Sequence, residues 1–194
     1  MKLAALEALS VVASNKALNA LLQKDMGTVV GFALKETPID ATLVETIDLG
    51  PFKHTVDKGA PIRKAAFSLL QNLTEAFRSA PTEVIAAATA GIADTSEDVQ
   101  LLCLVYLNKL LEICPMMVLA QLETVVGQFN ALFTKMTTDL KKDTQTERQL
   151  NLLRGILRVS EALQKNPEAA QNPTFSDWFS RNIIENVDVP AIRE

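Results

Sequence analysis

The sequence predicts an all-α chain of stacked helical pairs, interrupted once by a β-hairpin. Three observations predict it. Of 194 residues, 48% are hydrophobic but only 5% aromatic, and 7 Gly and 8 Pro are too few for a turn-rich β-sandwich. Ala and Leu, both strong helix formers, dominate. Apolar residues recur at three- and four-residue spacing everywhere except between Glu36 and Gly59. The same composition argues against disorder, since a domain of this length hides roughly 70% of its unfolded surface. The longest uncharged run, Thr124 to Thr134, falls well short of the ~20 residues of a membrane span. Lys2 and Glu7 come too early for a signal-peptide core. A net charge of −4 and a pI of about 5.2 offer no basic stripe for nucleic acid.

The elements follow in order. The first helix is predicted from Lys2 to Ala13, with Leu3, Leu6, Leu9 and Val12 on one face. Ser14-Asn15 breaks it, and a second helix is expected from Lys16 to Lys35. Helices resume at Ala60-Pro61, because proline suits a first turn where its missing N–H would be unpaired anyway. Ile62, Ala65, Ala66, Leu69, Leu70 and Leu73 carry that face. Pro81 restarts a helix ending near Gly91. Asp94-Thr95-Ser96-Glu97 reads as a capping box, opening a helix through Val99, Leu102, Cys103, Tyr106, Leu107 and Leu110. The next helix is expected from Pro115 to Thr138, then a polar loop from Asp139 to Thr146, then a helix from Glu147 to Lys165. Asn166-Pro167 and Asn172-Pro173 are read as bracketing a loop. A last helix holds Phe175, Trp178, Phe179 and Ile183, before a frayed tail after Asn186.

The helical units repeat. Ile62–Leu70 overlays Val99–Leu107 at an offset of 37 residues, and Lys2–Leu6 overlays Arg63–Phe67 at an offset of 61. The difference, 24 residues, is the length of Glu36–Gly59. A HEAT-type α-solenoid, with a period near 40 residues, accounts for both intervals if it carries one insertion. The chain is then expected to be one domain, 1–194. It comprises a first helical pair at 1–35, the insertion at 36–59, further repeats at 60–165, and a terminal cap helix and tail at 166–194. A non-repeating helical bundle is the alternative.

Within the insertion, Leu43–Leu49 is rich in β-branched residues, and Phe52-Lys53-His54-Thr55-Val56 alternates. Gly50-Pro51 lies between them, and Asp57-Lys58-Gly59 is a second turn signal. This predicts a hairpin of about fifteen residues. Such a hairpin is marginal alone in water, with unpaired edges that proteins normally blunt. Either it folds back on its own helices, as in a generic helical scaffold, or a partner covers it.

The run Leu49-Gly50-Pro51-Phe52-Lys53-His54-Thr55-Val56-Asp57-Lys58-Gly59, followed by Ile62-Arg63-Lys64-Ala65-Ala66-Phe67, closely resembles the carboxy-terminal region of the cullin-associated, neddylation-dissociated family, also called TATA-binding-protein-interacting. Leu104–Leu107 with Ile113-Cys114-Pro115, and Asn166-Pro167-Glu168-Ala169 with Phe179-Ser180, resemble it more weakly. The resemblance implies a HEAT solenoid that wraps a cullin, its last repeats gripping the cullin's amino-terminal repeat. There the hairpin would occupy the surface used by the adaptor subunit, making the protein a substrate-receptor exchange factor for cullin–RING ligases. The implied contact residues are Glu45, Ile47, Asp48, Leu49, Gly50, Pro51, Phe52, Lys53, His54 and Thr55, with a cytoplasmic and nuclear location. The ascending strand, Thr42–Asp48, departs from the more charged family form.

Other chemistry is not signalled. His54 is the single histidine, 49 residues from Cys103, with no Cys-x-x-Cys and no Gly-x-Ser-x-Gly. No metal, cofactor, small-molecule substrate or catalytic residue is therefore expected. Cys103 and Cys114 would lie ~16 Å apart along one helix, too far for a disulfide, and read as small buried hydrophobes in a reducing compartment. Asp94, Glu97 and Asp98 are expected to cap a helix rather than bind calcium. Gly27-x-x-x-Gly31 suggests close helix approach, and Arg63-Lys64 and Lys141-Lys142 solvated faces, with Arg63 alternatively bonding a neighbouring repeat. Asn72-Leu73-Thr74 is a chance sequon, and Trp178 the cap of the terminal core.

Overall fold

The computed structural model describes residues 1–48, 53–140 and 147–186. It is all-α apart from one two-stranded antiparallel sheet, as expected. The chain forms two compact units, Met1–Arg78 and Ser79–Glu194.

In the first unit, α1 (Lys2–Ser14) ends at Asn15, where the sequence breaks. The single helix expected over Lys16–Lys35 is instead a tight 3-10 turn, Asn19–Leu22, followed by α2 (Met26–Lys35). The strands β1 (Val44–Asp48) and β2 (Lys53–Asp57) come next, then α3 (Ala60–Phe77) with Pro61 in its first turn. α3 packs along α1 and also meets α2. Leu6, Ala33, Ala66, Phe67, Leu69 and Leu70 are fully buried among them. Asn72, read from sequence only as a chance sequon, joins these helices. Its Nδ2 donates to Ser10 Oγ at 2.8 Å and to Ser10 O at 3.2 Å. The close approach expected at Gly27 and Gly31 is absent, because a Cβ at either would meet nothing within 4 Å. α3 ends at Arg78, whose φ of 52° places a non-glycine residue in the left-handed region.

In the second unit, α4 (Thr82–Gly91), α7 (Leu122–Leu140) and α10 (Pro173–Phe179) form one layer. The other layer is α5 (Glu97–Ile113) against α8 (Glu147–Gln164). Contacts of α4 with α5 and of α7 with α8 make the helical pairs that the repeat reading predicts. A Cβ on Gly155 of α8 would meet Leu104 Cδ1 at 3.0 Å and Leu104 Cβ at 3.4 Å, so the close helix approach lies here rather than at Gly27. The expected continuous helix from Pro115 is divided into α6 (Pro115–Leu119) and α7. The Asp94–Glu97 capping box does not form. Ser96 is the N-cap of α5 without a side-chain cap bond, and Asp94 Oδ1 accepts from Ser96 N at 2.8 Å. The loop expected between the two Asn-Pro pairs is helix α9 (Pro167–Gln171). Asn166 caps it by accepting from Glu168 N, and Asn172 caps α10 by accepting from Phe175 N. A π-helical turn, Ser180–Ile184, follows α10. Trp178 is only 6% exposed and packs against Phe129, tilted, and Phe133, edge-on, with centroids 5.7 and 6.1 Å away, closing the terminal core as predicted. The expected tail after Asn186 and the pair Lys141-Lys142 lie outside the described residues.

Candidate partner-binding hairpin

The hairpin is built by local sequence. Asp40 accepts from Thr42 N and Thr42 Oγ1, making a short turn that turns the chain from α2 into β1. The antiparallel register then pairs Val44 with Asp57, Glu45 with Val56, Thr46 with Thr55, Ile47 with His54, and Asp48 with Lys53. Both expected strands are thus found among the described residues, with a difference at the root of each. Leu43 belongs to the entering turn, and Asp57 extends the second strand.

Of the predicted contact residues, Glu45, Thr46 beside it, and Thr55 are exposed. Ile47, Asp48, Lys53 and His54 are placed on the ladder by their register. Leu49, Gly50, Pro51 and Phe52 lie outside the described residues. Glu45 bonds Lys58 Nζ at 2.7 Å, but both side chains are more than half exposed, so the pair contributes little.

The base of the hairpin holds a contact that the sequence reading did not assign, between Asp57 and Arg63. Arg63, expected on a solvated face, has a side chain only 2% exposed. It donates from Nη2 to Asp57 Oδ2 at 2.7 Å and from Nη1 to Asp57 Oδ1 at 3.3 Å. The same Asp57 Oδ1 accepts from Gly59 N at 2.9 Å and from Ala60 N at 3.2 Å, amides that α3 cannot satisfy from within. The bonds from Arg63 hold the Asp57 carboxyl below the usual carboxylate range, with help from both amides and against the opposing effect of burial. Lys58 N donates to Leu43 O at 2.9 Å, closing the two strands at their root. The signal available in sequence was Asp57-x-Gly59, an Asx-turn pattern, with a cation one helical turn further on.

Cys103 is buried and Cys114 partly buried, and both are free thiols. Among the described residues no group of three His, Cys, Asp or Glu could hold a metal ion, and no helix is long and apolar enough to cross a membrane.

A family model described as TATA-binding protein interacting (TIP20) matches residues 21–182, which include the hairpin and most of each compact unit. The chain belongs to this family. Among similar proteins, Cullin-associated NEDD8-dissociated protein 2 of Mus musculus is 29% identical over 177 residues, 90% of this chain and 14% of its own length. Cullin-associated NEDD8-dissociated protein 1 of Drosophila melanogaster is 30% identical over 190 residues, 95% of this chain and 15% of its own. A relative named Cullin-associated NEDD8-dissociated protein 1, C-terminal part, from Emericella nidulans is 26% identical over 148 residues, covering 75% of this chain and 14% of that protein. This TIP20-family chain therefore spans about a seventh of the length of the curated relatives it matches.

Proposed function

We propose that the chain is a non-enzymatic cullin-binding module within a regulator of cullin–RING ubiquitin ligases, working in cytoplasm and nucleus. Its hairpin covers the surface of the cullin amino-terminal repeat where the adaptor subunit docks, so each binder excludes the other. The observation that carries the reading is the hairpin itself in a member of this family. Among the described residues β1 and β2 pair only with each other, and Glu45, Thr46 and Thr55 face solvent. An open two-stranded edge is a surface that a partner can cover. The relatives' names supply the partner class, cullin, and the resemblance of Leu49–Gly59 supplies the adaptor surface.

A pull-down with the amino-terminal half of a cullin, with and without adaptor, tests it. The chain is expected to bind and to lose binding as adaptor is added. Deleting Glu45–Thr55, which leaves Asp57 and Arg63 in place, is expected to keep helicity by circular dichroism and abolish the competition. Adaptor displacement by the deleted protein would refute the hairpin's part. Amide protection in Leu49–Val56 of the free protein as strong as that of the helix core would favour a hairpin packed on its own helices, since strand pairing alone protects less.

A further inference from the structure

We propose that Asp57 and Arg63 form a clamp that sets the orientation of the hairpin on α3, presenting its strands to the partner already ordered. Arg63 is a positioning residue, acting through Asp57 and not by touching the partner. The choice of partner rests on the function proposed above; the clamp does not.

Only Lys58 and Gly59 separate β2 from α3, so few torsions decide where the strand points. The last residue of β2, Asp57, reaches to the start of α3, accepting twice from the guanidinium and twice from backbone amides. A two-pronged guanidinium–carboxylate pair fixes angles as well as distance, which a lysine point charge would not. Burying a guanidinium to 2% exposure is unfavourable unless it is paired, and the Asp57 carboxylate is placed to pair it at two nitrogens. The root is also tightly packed. A Cβ on Gly59 would lie 3.1 Å from Arg63 Nη1 and 3.2 Å from Asp57 Oδ1. The bond from Lys58 N to Leu43 O carries β1 along with β2. A hairpin of two five-residue strands does not order itself in water, so the root decides what fraction of molecules has it formed. Apparent affinity is reduced in proportion to that fraction.

Hydrogen exchange at pH 7 on the full chain tests this, comparing wild type with Asp57→Asn and Arg63→Gln, alongside association and dissociation rates on the cullin amino-terminal half. Asp57 is the more exposed partner, so its variant is the one expected to stay folded if Arg63→Gln does not. Amides of 44–48 and 53–57 are expected to exchange at least about tenfold faster in each variant, with those of Leu6 and Leu70 unchanged. Association should slow by the same factor while dissociation stays constant. The clamp is overturned if strand exchange stays at the wild-type rate in the folded variants, if the helix-core amides accelerate in step with the strands, or if only dissociation changes. Should wild type not bind the cullin at all, the proposed function fails, and the exchange rates alone still decide the clamp.

Discussion

At the scale of single residues, Asp57 joins three tasks: it ends a strand, accepts the first amides of a helix, and neutralises a buried cation. Asp57→Asn is expected to cost about 1–3 kcal/mol, because the buried Arg63 loses a two-pronged bond to a charged carboxylate. The sign with pH follows. A carboxyl whose folded pKa is depressed contributes stability above its unfolded pKa, about 3.9, and loses it as pH falls through the folded value. The thermal midpoints of wild type and Asp57→Asn should therefore differ most near neutrality and converge in acid. An unchanged gap at low pH would assign the loss to geometry rather than charge. Cysteine offers a second residue-scale test. Burial pushes the Cys103 thiol far above its ordinary range and also raises that of Cys114, which is only partly buried. A thiol reagent at pH 8 should label Cys114 alone in the native chain, reaching Cys103 only after denaturation.

At the scale of elements, the period of apolar residues found the long helices and missed their interruptions. Leu18, Leu21, Leu22 and Met26 keep helical spacing across the 3-10 turn, so periodicity cannot see that the chain tightens there. Ala120-Gln121 sits between α6 and α7 with no breaker residue at all. α9 was missed for another reason: five residues are too few to show a period. The caps were the better guide, since Asn at N-cap followed by Pro at N1 is a helix start. Asn166→Ala and Asn172→Ala should each cost about 1 kcal/mol in chemical denaturation. Among helix contacts, Gly155 allows α8 to lie against Leu104 of α5. Gly155→Val should destabilise by about 1–3 kcal/mol through overpacking, despite removing a helix-weakening glycine. Stability equal to wild type would mean that Leu104 moves aside. In the hairpin, alternation and turn residues made both strands legible, whereas the burial of Arg63 was not. Arg beside Lys on a helix reads as solvated unless the preceding carboxylate is known to fold back on it.

At the scale of the whole molecule, the sequence suggested one continuous array, and the contacts fall into two compact units meeting in sequence at Arg78-Ser79. The repeat pattern does not mark this boundary, because the restart at Pro81 reads like any other turn between stacked helices. The second unit contains the sole tryptophan, buried against Phe129 and Phe133. Residues 79–194 expressed alone are expected to fold with the same tryptophan emission maximum and the same denaturation midpoint as in the full chain. A red-shifted emission would show that the second unit needs the first.

The root of the hairpin also constrains how this chain can change over evolutionary time. An insertion in a surface connection is ordinarily free to shrink or vanish. Here excision through Asp57 would strip α3 of its first amide acceptor and take a carboxylate from the buried Arg63 guanidinium, so loss is opposed at that end. Shortening can proceed only from the far end inward, in pairs of residues that preserve the strand register. Homologous chains with shorter arms are therefore expected to keep the acid-x-Gly-x-x-x-Arg spacing of Asp57, Gly59 and Arg63 even where the arm has dwindled to a turn.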